Sequence, residues 1–152
     1  MDTLQSDRPV ADGRCPTSGD VVDRLLRTAA EITSEQARRL RPISLSPSAF
    51  TVLLHLADAP DERLEPCALA NRLSVSRPSM CGLIDGLQAK GLVARLPHSH
   101  DGRRVLVELS AAGRRLLDQH RGAYDAMLDT LLHDLGASDR QRLVGLLQRV
   151  GP

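Results

Sequence analysis

LANRLSVSRPSMCGLIDGL, residues 69–87, carries two blocks of helically spaced apolar residues separated by a polar turn. Leu69, Leu73, Val75, Met80, Leu83, Ile84 and Leu87 form the blocks, and small Ala70 sits where one helix must approach the other closely. This spacing predicts two short helices, joined by a four-residue turn and set at a steep angle around a shared core, the helix-turn-helix arrangement. On the second helix Met80, Leu83, Ile84 and Leu87 share one face, while Ser76, Arg77, Pro78, Ser79, Gly82 and Asp85 occupy the first turn and the opposite face. Ser76 is placed to cap the helix, and an exposed helix N-terminus beside Arg77 suits a phosphate or a guanine edge. Two core helices with solvated outer faces would give the same pattern, so the segment C-terminal to the pair decides between them.

That segment contains RLPHSHDGRRVLVEL, residues 95–109. LVARL (92–96) and RVLVEL (104–109) alternate as strands do, with PHSHDG between them. A helix pair leading directly into a hairpin is the winged-helix order, in which the finger between the strands lies beside the second helix and reaches an adjacent groove of DNA. His98, His100 and Asp101 also have the chemistry of a zinc or nickel site, but no further ligand lies nearby. A catalytic His/Asp pair would need a nucleophile and an enclosed pocket, and the sequence points to neither. The expectation is therefore no metal, no cofactor and no enzyme.

Outward from this centre the chain reads as helices. Residues 1–17 are rich in Asp, Ser, Pro, Gly and Thr without periodicity, which predicts a disordered tail. Val21, Val22, Leu25, Leu26, Ala29 and Ile32 predict one long amphipathic helix ending at Pro42. Ser46-Pro47 opens a second helix, with Phe50, Leu53, Leu54 and Leu56 on its apolar face. After the hairpin, Ser110 caps a helix whose stripe runs from Leu116 to Leu135 and which Gly136 closes. Ser138 and Gln141 have the spacing of a capping box for a last helix bearing Leu143, Leu146, Leu147 and Val150. These flanking helices offer more apolar surface than a small winged lobe can cover, which predicts a homodimer.

Composition sets the outer limits. The 152 residues suit one domain, and the formal net charge of +1 means that any anion-binding surface must come from local clustering. The polar N-terminus has no apolar leader region and no run is long enough for a membrane span. Three cysteines without zinc-like spacing point to free thiols in a reducing cytoplasm.

LSPSAFTVLLHL, ALANRLSVSRPSMCGLIDGLQAKGLVARL and DGRRVLVELSAAGRRLL, together spanning residues 45–117, resemble the MarR family of bacterial transcription regulators. The most specific piece is Asp101-Gly102-Arg103 leading to Ser110-Ala111-Ala112-Gly113. The resemblance implies a mainly α chain with a small β wing: a winged helix-turn-helix lobe at 45–110 and dimerisation helices at 18–42 and 111–152. It further implies a homodimeric repressor whose second helices enter successive major grooves of a pseudo-palindromic operator. Ser76, Arg77, Pro78 and Ser79 would face the major groove, Arg103 with help from Arg104 would take the minor groove or phosphates, and Asp101 would brace the wing. A small-molecule effector would bind between the lobe and the dimer helices, in the crevice near Ile43, Phe50, His55 and Leu117, although these residues also read as ordinary core. No residue is assigned to the effector.

This chain departs from the family pattern at Ser74, where glycine is usual, at Cys81-Gly82, where Thr-Arg is common, and at Gly86, where arginine is common. These departures leave room for two alternatives. One is thiol-based redox sensing, with Cys81 near the start of the second helix and Cys15 in the tail. The other is a winged-helix module that binds a protein partner and not DNA.

Overall fold

The computed structural model describes residues 15–98 and 101–150, and at 98 and 101–103 the backbone alone. Residues 1–14 of the expected tail, His100, and the side chains of Asp101 and Arg103 therefore lie outside the described residues.

Helix α1 (Ser18–Leu40) begins where Thr17 and Asp20 cap each other. The Thr17 hydroxyl oxygen accepts from the Asp20 amide at 3.2 Å, and the Asp20 carboxylate accepts from the Thr17 amide at 2.9 Å. Hydrogen bonds from the Thr17 hydroxyl, and then from its amide, hold the Asp20 carboxyl below its ordinary range. The helix tightens into a 3-10 turn at Arg41–Ile43 and stops at Ser44, whose φ of 54° is left-handed. Helix α2 (Pro47–Ala57) starts with Ser46 accepting from the Ala49 amide at 3.2 Å and buries Ala49, Phe50, Val52, Leu53 and Leu56.

A two-residue strand, β1 (Arg63–Leu64), then precedes α3 (Pro66–Leu73) and α4 (Arg77–Ala89). Three residues, not four, join the two helices. Ser74 makes the turn with φ 52° and ψ 41°, its amide donating to the carbonyls of Ala70 and Asn71. Strands β2 (Val93–His98) and β3 (Asp101–Leu109) form the hairpin and extend further into the finger than the alternation predicts. The irregularity falls between Pro97 and His98. The sheet has the order β1-β3-β2 and is antiparallel throughout, with Arg63 opposite Glu108 and Leu64 opposite Val107.

Ser110 caps α5 (Ala111–Leu131), accepting from the Gly113 amide at 3.0 Å. Its hydroxyl also donates to the Gly91 carbonyl at 2.7 Å, which pins the helix start to the end of α4. Gly113 is needed here: a methyl in its place would collide with the Leu92 carbonyl oxygen and approach Leu109 Cδ1 to 2.8 Å. The chain ends in α6 (Ala137–Leu147).

Two expectations for the C-terminal segment are corrected. Gly136 has φ −64° and serves as N-cap of α6, so Ser138 and Gln141 lie inside that helix and form no capping box, while Leu135 falls in the turn beyond α5. The physical reason is Arg140. Its Nε donates to the Leu135 carbonyl at 3.0 Å, its Nη2 to the Leu132 carbonyl at 3.2 Å and its Nη1 to Asp129 at 3.0 Å, tying the first turn of α6 back to the last turn of α5 and the segment between them.

The core lies under the hairpin and the helix pair. Phe50, Leu53, Leu56, Leu69, Met80, Ile84, Leu87 and Val107 are fully buried, each burial stabilising by roughly 1.5–3 kcal/mol. Phe50 and Tyr124 pack with ring centroids 4.8 Å apart and planes tilted by 49°, linking the lobe to α5. Among the described residues no helix is long and apolar enough to cross a membrane.

Candidate nucleic-acid interface

Helix α4 is divided lengthwise. Met80, Ile84 and Leu87 are buried, and Ser76, Arg77, Pro78, Ser79, Cys81, Gly82, Asp85 and Gly86 are exposed. The Ser76 Oγ accepts from the Ser79 amide at 3.2 Å and lies 2.8 Å from the Ser79 Oγ. The four residues expected at the major groove thus form one capped, solvent-facing turn, with Pro78 at its second helical position, where the missing amide leaves no donor unpaired. Beyond that turn the outer face is bare. A methyl added at Gly82 or Gly86 would meet nothing within 4 Å, so packing does not demand either glycine.

Arg95 on β2 was not anticipated. Its Nη1 donates to Gln88 Oε1 and its Nη2 to Asp85 Oδ1, both at 2.6 Å, tying the hairpin to α4. Asp85 and Gln88, three apart on a helix face, carried the available signal, but their partner on the next strand has no local signature. A second staple joins the strands, with Arg63 Nε donating to Glu108 Oε1 at 2.8 Å.

Arg104 on β3 is exposed and ion-paired with Glu65, which stands at the N-cap position of α3 without making a side-chain cap bond. Glu65, Cys67, Arg77, Cys81 and Arg104 line one cleft of about 450 Å³ between the starts of α3 and α4 and the hairpin. The three cysteines are free and exposed. Cys81 shares its cleft with Cys67, whose thiol donates to Glu65 Oε2 at 3.3 Å, whereas Cys15 precedes α1 and does not line it.

A smaller cavity of about 150 Å³ lies between the end of α1 and α5, lined by Arg39, Ile43, His120 and Tyr124 among others. Of the crevice residues expected from sequence, Ile43 lines it, Phe50 and Leu117 belong to the core and His55 is half-buried. Burial pushes the Tyr124 phenol up, and the Gln36 Nε2 donating to its oxygen at 2.7 Å works against that. The remaining unusual surface is apolar. Val21, Val22 and Leu26 on α1, Leu131 on α5, and Leu143, Val144, Leu146, Leu147 and Val150 at the C-terminus are exposed, Leu26 to 66% and Val150 to 59%.

A helix pair whose second helix is capped, half presented to solvent and tied to a β-hairpin beside it defines a winged helix-turn-helix protein. Residues 43–104 match the profile of the MarR family. A regulator from Mycobacterium bovis is 41% identical over 103 residues, 67% of this chain and 68% of that protein. The chain belongs to the MarR family. It is also 32% identical to the transcriptional repressor YetL of Bacillus subtilis over 103 residues, 68% of this chain and 62% of the repressor, so it spans less than two thirds of that protein. Among solved structures, a mutant of Escherichia coli MarR complexed with operator DNA aligns with a TM-score of 0.75 and 28% identity, over 87% of this chain and 94% of that one. The regulator CouR of Rhodococcus jostii bound to p-coumaroyl-CoA aligns with a TM-score of 0.78 and 25% identity, over 86% and 91%.

Proposed function

We propose that the protein is a cytoplasmic, homodimeric DNA-binding regulator, a repressor whose operator affinity is altered by a small-molecule effector. The reading places the DNA-binding lobe at 45–110 and the dimer-forming helices at 18–42 and 111–152. The observation that carries it is the solvent-facing first turn of α4, Ser76 to Ser79, with its buried face locked into the core and its outer face tied to the hairpin by Arg95. Such a turn enters a major groove and offers amides, hydroxyls and one guanidinium to phosphates and base edges. Arg103 belongs to the same reading as the minor-groove contact and Asp101 as the brace of the wing. No catalytic step is part of this function.

Two further observations support the remaining parts. The exposed apolar faces of α1 and the C-terminal segment have the chemistry of a partner copy's interface. The small cavity with Arg39, His120 and Tyr124, between the end of α1 and α5, suits an anionic ring, whose binding would bias the spacing of the two α4 helices.

The test is Arg77→Ala. Titrated against the DNA upstream of its own gene, the variant is expected to lose about 1–3 kcal/mol of binding to the preferred site. Wild-type affinity in the variant would remove α4 from the contact.

A further inference from the structure

Among the described residues, Glu65 is the one acidic side chain lining the cleft between the starts of α3 and α4 and the hairpin, where Arg77 and Arg104 are its cationic neighbours. It is the more buried partner of its ion pair, 21% exposed against 54% for Arg104. Its neighbours in sequence are otherwise engaged: Glu62 pairs with Arg114 and Arg63 with Glu108. Glu65 also forgoes the role its position offers, since it makes no side-chain bond to the first amides of α3. Its carboxylate instead holds Arg104 through Oε1 and accepts from the Cys67 thiol through Oε2.

We propose that Glu65 is a specificity-determining residue, an internal carboxylate that occupies Arg104 in place of a DNA phosphate. The inference rests on the DNA-binding reading above. Sequence-independent affinity comes from cations that neutralise phosphates and release counterions, whereas base readout comes from the first turn of α4. A carboxylate that engages a wing arginine subtracts from the first and leaves the second intact. Non-specific duplex is then bound weakly, and the ratio of specific to non-specific affinity rises where the preferred site alone draws Arg104 off Glu65 and onto a phosphate. Arg104 joins the phosphate backbone when it leaves Glu65, so its contact is conditional.

The experiment measures binding to a mixed-sequence duplex across a salt series for wild type, Glu65→Gln, Arg104→Ala and the double variant. Glu65→Gln is expected to tighten non-specific binding by roughly five-fold and to steepen the dependence of log K on log salt by about 0.9. In the Arg104→Ala background the same substitution is expected to leave the slope unchanged. Glu65→Ser provides a second variant, because serine removes the carboxylate while restoring an N-cap to α3, and it should reproduce the slope change. An unchanged slope in Glu65→Gln, or an equal change with and without Arg104, would overturn the proposal while leaving DNA binding standing. A wild type that binds no duplex at any salt would instead overturn the DNA-binding reading, and this inference with it.

Discussion

Ser74 sits in the left-handed region, φ 52°, at the turn between α3 and α4, held there by its amide bonding back to two carbonyls of α3. That conformation is costly for an L residue with a Cβ, and glycine avoids the cost. Ser74→Gly is therefore expected to stabilise the chain by about 1 kcal/mol in denaturant unfolding. A loss of stability would show that the serine makes a compensating interaction. The three glycines that matter divide the same way: Gly113 is enforced by the Leu92 carbonyl, whereas Gly82 and Gly86 stand in open space on the exposed face of α4. That leaves the outer face of α4 poorer in side chains beyond its first turn, and in the proposed reading it shifts weight to Arg77, to the hairpin and to whatever governs Arg104. The residue that governs it, Glu65, could not be singled out from sequence, because its partner lies on a strand far along the chain.

At the scale of elements, α2, α4 and α5 were legible because each carries its own punctuation. Ser46-Pro47, Ser76 and Ser110 all cap the helices they were expected to cap. β1 was not legible: two residues show no alternation, and the strand exists because β3 offers it an edge to pair with. Ser138 misled because a capping box is read from residue types alone, whereas the Arg140 guanidinium, bonded to the Leu132 and Leu135 carbonyls, goes with a helix start at Gly136. Tyr124 is the joint between these elements, packed on Phe50 of α2 and bonded to Gln36 of α1. Because burial raises its pKa, the folded chain holds the phenolic proton more tightly than the unfolded chain does. The stability this contributes is fully present below the ordinary value of 10.0 and is lost as pH rises through the higher folded value. As Tyr124 is the one tyrosine in the chain, its absorbance titration reads this directly. The midpoint should lie above that of the denatured chain, and coincident midpoints would mean that the joint does not exclude water.

On the scale of the whole molecule, the formal charge of +1 gives no hint of an anionic partner. The proposed function is local, centred where Arg77, Arg104 and Glu65 share a cleft. The stripe of α1 is apolar as its spacing predicts, yet Leu40 is the one residue of that helix that the single chain buries. That mismatch between a strong helical pattern and weak burial is what a second copy would resolve, and it would set two α4 helices about one DNA turn, roughly 34 Å, apart. The hairpin's proposed part in DNA contact rests on the helix-helix-hairpin order, and Asp101 and Arg103 retain their expected roles as proposals. Sedimentation of the protein with DNA from upstream of its own gene, against an unrelated duplex of equal length, tests the central claim most directly. Two chains per duplex are expected, with the upstream DNA bound in strong preference. One chain per duplex, or equal binding to both DNAs, would contradict the account.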